Sequence, residues 1–258
     1  MPPLFTPPWL PPALSPRLTR RALLAAGLGL PWATPGLAAG LAANPPSVLQ
    51  PRPLVFPRDH GSHNAQRTEW WYLTGHARDA QGRDFGFQLT FFRSRVDAAQ
   101  TLQSRLAARQ LLFAHAAITD VQGQRLWHDQ RIARWNGEPP ADARQRERGV
   151  WASETDTEVV LRDWHLRRLP DGGFQGLVEG DDIGIDLRAT PRQPILLQGD
   201  QGFSRKGPQP AQASFYISHP QLAVQGRLRL QGRAFEVQGS TWLDHEWSEA
   251  LMHPEAVG

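Results

Sequence analysis

From Glu69 onward, apolar and polar residues alternate in short runs separated by glycine-containing turns. The clearest run is Asp84 to Arg95. Phe85, Phe87, Leu89 and Phe91 fall on one face and Gly86, Gln88 and Thr90 on the other, because successive side chains of a strand point to opposite sides. Glu69 to His76 pairs naturally with this run across the Asp79–Arg83 turn. Gln81-Gly82, Gln122-Gly123, Gly172-Gly173 and Gln231-Gly232 each sit between β-rich segments, which is a hairpin signal. Further strands are expected at Leu111–Asp120, Arg125–Trp135, Glu158–Arg168, Gly176–Ala189, Ala213–Ser218, Ala223–Leu230 and Ala234–Asp244. Arg105 to Leu112 is the one weak helical candidate. Asn136–Gly149, polar and arginine-rich, reads as an exposed loop, as does Gln198–Pro210, which holds the only lysine, Lys206. Many short strands joined in sequence predict an all-β fold, a barrel or a sandwich. The barrel is favoured because consecutive hairpins form a meander that closes without leaving edges.

The chain of 258 residues contains no cysteine, which excludes disulfides, thiol nucleophiles and thiolate metal sites. Its formal charge of +3 and calculated pI near 10.1 suggest a nucleic-acid partner. The location of the charge removes that suggestion. Residues 1–39 hold Arg17, Arg20 and Arg21 and no acid, which leaves 25 basic and 25 acidic groups in the rest. No nucleic acid is therefore expected as a partner. The first segment reads as an address. Thr19-Arg20-Arg21 precedes a short apolar run and small residues, the pattern of a twin-arginine export signal. It follows a proline-rich extension, and cleavage is expected after Ala38 or Ala42. The expected layout is a signal over 1–42, a linker over 43–55, a domain over 56–250, and a remnant over 251–258. The expected location is the periplasm or beyond.

Two clusters carry chemical content. The first is Asp59-His60-Gly61-Ser62-His63 with Glu69-Trp70-Trp71-Tyr72 and Gly75-His76. The second is Trp242-Leu243-Asp244-His245-Glu246-Trp247. Both place ionisable groups beside tryptophan, where desolvation favours the uncharged form of an acid. Together with Phe87-Gln88-Leu89-Thr90-Phe91-Phe92-Arg93, they resemble the signatures of the secreted AttH-like proteins. These belong to the lipocalin-like superfamily that includes the carotenoid 1,2-hydratases, also called hydroxyneurosporene synthases. The resemblance runs from about Phe56 to the C-terminus and implies a lipocalin-like antiparallel β-barrel, the first of two consecutive barrels. Such proteins continue through most of a second barrel, so a C-terminal truncation is expected here.

What the resemblance implies chemically centres on Asp244, which matches the aspartate regarded as the catalytic acid of the hydratases, with His245 and Glu246 beside it. Hydrating an isoprenoid alkene needs a proton delivered to carbon and water to capture the cation. Tryptophan faces stabilise such a cation. The chain departs from the hydratase pattern at Trp242, where those enzymes tend to have tyrosine. Glu69, Trp70, Trp71, Tyr72, Trp242 and Trp247 are the candidate ligand-binding residues for an apolar isoprenoid or lipid-like molecule. No cofactor is required and no metal is assigned, although His60, His63, Glu69, His245 and Glu246 are the residues from which a metal site could be assembled. The alternatives for Asp244 and Glu69 are structural: Asp244 pairing with an arginine such as Arg93, and Glu69 anchoring the barrel through a buried ion pair. The competing functional expectations are a non-catalytic periplasmic lipid carrier or accessory factor working with envelope transporter components, or an inactive truncated product. A catalyst is expected to bury Asp244 against the cavity, whereas a carrier can leave it exposed. No Gly-x-Ser-x-Gly elbow supports a serine hydrolase.

Overall fold

The computed structural model describes residues 48–250. The expected export signal, the first five residues of the linker (43–47) and the segment 251–258 lie outside the described residues. Thirteen antiparallel strands form one sheet. In chain order they are β1 (Thr68–Asp79), β2 (Asp84–Arg95), β3 (Gln110–Asp120), β4 (Arg125–Trp135), β5 (Val150–Ala152), β6 (Glu158–Leu161), β7 (Trp164–Arg168), β8 (Phe174–Glu179), β9 (Ile183–Pro191), β10 (Leu196–Leu197), β11 (Phe203–Arg205), β12 (Ala213–Leu230) and β13 (Arg233–Ser248). The spatial order is β4-β3-β2-β1-β13-β12-β9-β8-β7-β6-β5, with β10 and β11 side by side along β12. The N-terminal meander β1–β4 and the C-terminal hairpin β12–β13 are thus joined through β1, whose twelve residues all pair with β13.

The sheet curls into a nearly closed barrel. Its end strands, β4 and β5, are not hydrogen-bonded to each other. Side chains bridge the seam instead. Arg131 on β4 pairs with Asp163, donates to the Glu179 carbonyl at 2.6 Å, and lies 4.7 Å from the Trp164 ring centre. The barrel interior is a packed core of Trp71, Leu73, Phe85, Leu89, Phe91, Leu112, Ile118, Trp164, Ile185, Leu187 and Leu228, all at most 1% exposed. These side chains fill the middle of the barrel.

The alternation in Asp84–Arg95 forms β2 with those bounds, and Arg125–Trp135 forms β4. Elsewhere the structure revises the expected elements. Glu158–Arg168 doubles back at Arg162, which adopts a positive φ of 66°, and becomes β6 and β7. Gly176–Ala189 likewise divides into β8 and β9. Conversely, Ala213–Ser218 and Ala223–Leu230 are one strand, β12, interrupted by a bulge between His219 and Leu222. Pro220 has no N–H for the ladder, so the strand bulges there rather than ending. Arg105–Leu112 is not helical. The single α-helix among the described residues, α1 (Ala143–Arg148), lies in the segment expected to be loop, where the Asp142 side chain caps it by accepting from the Gln145 amide at 2.7 Å. The glycine of the Gly75-His76 motif has a steric reason. A side chain at Gly75 would run into the Ser240 carbonyl on β13.

Candidate functional site

Strand alternation sorts the signature residues into two sets. On β1, Glu69, Trp71 and Leu73 point inward, and Trp70 and Tyr72 outward. On β13, Leu243, His245 and Trp247 point inward, and Trp242 and Asp244 lie on the outer face with Glu246.

The inward set builds a buried polar cluster at one end of the barrel. Glu69, fully buried, accepts from Ser62 Oγ at 2.9 Å, the His63 amide at 2.9 Å and Arg93 Nε at 2.9 Å. His63 Nδ1 and His245 Nε2 lie 2.8 and 2.9 Å from its other oxygen. The far nitrogen of His63 lies 3.0 Å from Asp59, which Arg52 grips with both terminal nitrogens at 2.7 and 2.8 Å. Arg93 also donates to Gln110 and to the carbonyls of His63 and Gln66. Two arginines therefore face two carboxylates, which makes the burial of charge tolerable. Burial opposes ionisation of Glu69, but Arg93, His245 and His63 outweigh it and hold its carboxyl well below the usual range. Asp59 is lowered in the same way by Arg52 and His63. Burial pushes the His245 imidazole down toward its neutral form. Trp247 stacks on His63 with ring centres 3.6 Å apart, and Trp71 stacks on His245 at 4.8 Å. The cluster pins the segment 52–63 to the barrel end.

His63, Glu69 and His245 each bring one donor atom within 4.8 Å of the others, so these three are the residues that could hold a metal. Of the wider set considered from sequence, His60 and Glu246 are elsewhere. His60 turns to His219, with ring centres 5.3 Å apart. These two rings and Arg168 border a groove of about 410 Å³. Burial lowers His60 to about 3, helped by His219 and Arg168, and lowers His219 to about 4, helped by Arg168 and His245.

The outward set is aromatic and acidic. Asp244 is half-buried, and its Oδ1 accepts from Ser218 Oγ and from Trp242 Nε1, each at 2.5 Å. Burial and the neighbouring Asp244 push the Tyr216 phenol up to about 12. Glu246 is bound by Lys206 at 2.9 Å, and the same ammonium lies 4.8 Å from the Tyr216 ring centre. Strand register sets Tyr216, Glu246, Trp70, Phe92, Phe113 and Ile132 in one row across β12, β13, β1, β2, β3 and β4. Phe92 and Phe113 stack within it at 4.6 Å.

The three residues singled out as an acid centre are thus divided. Asp244 and Glu246 share the outer face, as their spacing predicts, while His245 lies inside with Glu69. Among the aromatic candidates, Trp70, Tyr72 and Trp242 accompany Asp244, and Trp71 and Trp247 belong to the core. The partner of Arg93 is Glu69, not Asp244. Tyr216, Ser218, Arg52 and the His60–His219 pair escaped the sequence reading. Tyr216 and Ser218 alternate within a recognisable strand, but only the pairing of β12 with β13 brings them to Asp244.

A curled, nearly closed antiparallel sheet whose end is plugged by a buried Glu–His–Arg cluster defines a lipocalin-like barrel. The chain belongs to the AttH-like family, whose profile matches residues 47–258. It is similar to a Nitrosomonas europaea protein designated an AttH, with 40% identity and a TM-score of 0.68 over 81% of this chain and 60% of that one. The chain therefore spans about 60% of the length of that relative. Kievitone hydratase from Nectria haematococca shares the fold at a TM-score of 0.56 and 10% identity, over 78% of this chain and 54% of that one. No protein of curated function matches.

Proposed function

We propose that this is an exported lipocalin-like protein that binds an apolar isoprenoid or lipid-like molecule on the outer aromatic face of β1, β12 and β13. In this reading Asp244 adds a proton to a carbon–carbon double bond of that molecule. The observation that carries it is the convergence of Asp244, Tyr216, Tyr72, Trp70 and Trp242 on one face beside a row of half-buried rings. The packed interior leaves that face as the natural contact for an apolar ligand. In the reaction, the Asp244 proton forms a new C–H bond as the π bond breaks. The resulting tertiary cation lies against the faces of Trp70 and Trp242. Water then captures the cation and returns a proton to the carboxylate, so no cofactor is consumed. The occurrence of a hydratase on the same fold is in keeping with this chemistry. Export to the periplasm rests on the Arg20-Arg21 pattern and its apolar run.

The half-exposure of Asp244 and the two donors already on its Oδ1 favour a second reading, a non-catalytic carrier that hands its ligand to envelope transporter components. Asp244→Asn separates the two. Incubation with carotenoid and other isoprenoid alkenes, followed by mass spectrometry, should show an 18-unit gain with the parent protein and none with the variant, while binding persists. A gain that survives the substitution would remove Asp244 as the acid. Binding without any gain in the parent protein would leave the carrier.

A further inference from the structure

The unbonded seam between β4 and β5 opens into a surface groove of about 1400 Å³. Its floor is apolar: Leu106 and Ile132, each 69% exposed, lie beside Trp135 and Trp151. Its rim is basic. Arg105, Arg134 and Arg162 line it, and none has a carboxylate partner among the described residues. The one acid in the lining, Glu138, is engaged by Arg109 at 3.4 Å. Three unneutralised guanidinium groups around exposed leucine and isoleucine are complementary to a molecule that is both acidic and apolar.

The groove is also continuous with the aromatic face. Ile132 in the groove is the last member of the row that runs through Phe113, Phe92 and Trp70 to Glu246, two residues along β13 from Asp244 and on the same face. At about 4.8 Å between neighbouring strands, the path from β4 to β13 is about 19 Å along the surface. That is the reach of one long acyl or isoprenoid chain.

We infer that the ligand is a linear amphiphile, whose acidic head sits among Arg105, Arg134 and Arg162 and whose tail follows Ile132, Phe113, Phe92 and Trp70 toward Asp244. This rests on the reading that the outer face binds an apolar molecule, and it adds the head group, the polarity of binding and the end of the chain that meets Asp244. An acidic head makes charge-assisted, bidentate contacts with arginine that an alcohol does not.

The test is calorimetric titration of the full chain with oleate, oleyl phosphate and oleyl alcohol, below their aggregation limits. Oleate or oleyl phosphate should bind at least about tenfold more tightly than oleyl alcohol. Arg105→Gln/Arg134→Gln/Arg162→Gln should erase that preference, bringing the affinity for the two acids down to that for the alcohol. Phe92→Ala/Phe113→Ala should weaken all three probes by about tenfold through lost apolar contact. Equal affinity for acid and alcohol, or a preference that survives loss of the three arginines, overturns the head-group assignment and leaves the apolar face standing. Unchanged affinity in the phenylalanine variant overturns the path of the tail. Failure of all three probes to bind the parent protein overturns the functional reading itself.

Discussion

Asp244 and His245 are neighbours in sequence and lie on opposite faces of β13. The Asp244 carboxylate accepts from Ser218 and Trp242 on the outer face, and His245 Nε2 lies 2.9 Å from the buried Glu69 inside. One peptide unit separates a group that an external ligand can reach from a group sealed in the barrel end. The two should therefore respond differently to substitution.

Glu69→Gln leaves Arg93 buried without its counter-charge. Breaking a buried pair on one side costs about 3–5 kcal/mol, so urea denaturation should show a loss of that order. Asp244→Asn keeps the shape of a half-buried group on the surface side and should cost under about 1 kcal/mol. Equal losses would contradict the division into an inner structural set and an outer ligand-facing set.

Acid should destabilise the fold from about pH 6.5 downward. His60 and His219 have folded values near 3 and 4 against 6.5 for the free side chain. The unfolded chain therefore binds more protons below pH 6.5, and their contribution, complete above that value, fades as the pH falls toward the folded values. Each histidine should account for about 2 kcal/mol between pH 7 and pH 5. The lowered Asp59 and Glu69 act in the same direction at still lower pH. The slope of stability against pH in that window should flatten in His60→Gln/His219→Gln, as read by denaturation at each pH.

Tyr216 offers a probe of Asp244. Its phenol is raised to about 12 by burial and then by the Asp244 charge. The chain has two tyrosines, so Tyr72→Phe isolates it. Ultraviolet titration of that variant should give a midpoint near 12. Adding Asp244→Asn should lower the midpoint while burial keeps it above 10. An unmoved midpoint would place Tyr216 beyond the influence of Asp244.

Gly75 and Gly239 face backbone across the β1–β13 pairing: a Cβ at Gly75 meets the Ser240 carbonyl, and one at Gly239 meets the His76 carbonyl. Backbone cannot swing aside as a side chain can. Alanine at either site should cost about 1–3 kcal/mol, against little change for Gly82→Asn in an open turn with nothing nearby and a φ of 84°, a value asparagine tolerates. Thermal melts of the three variants check this.

Much of the barrel was legible because strand periodicity is local. Phe85, Phe87, Leu89 and Phe91 are interior residues, and their spacing alone announces it. The sorting of Trp70 from Trp71, and of Asp244 and Glu246 from His245, follows from the same alternation. Where local signals were weak, the elements shifted: Arg162 turns the chain without a glycine, and Pro220 bulges a strand that it was expected to divide. The capped helix after Asp142 leaves no mark in the sequence pattern, because six residues carry too little periodicity to register.

What the sequence determined by itself was the set of strands, the faces of their side chains and the signatures of the family. Tertiary structure decided the partners. Glu69 meets Arg93 through the adjacent strand β2, but it meets His245 from 176 positions away only because β13 pairs with β1. Tyr216 and Ser218 reach Asp244, and Ile132 joins the row from Trp70, only because the strands align in one particular register. Alternation is a property of each strand alone, whereas charge pairing and a continuous binding face depend on which strands become neighbours.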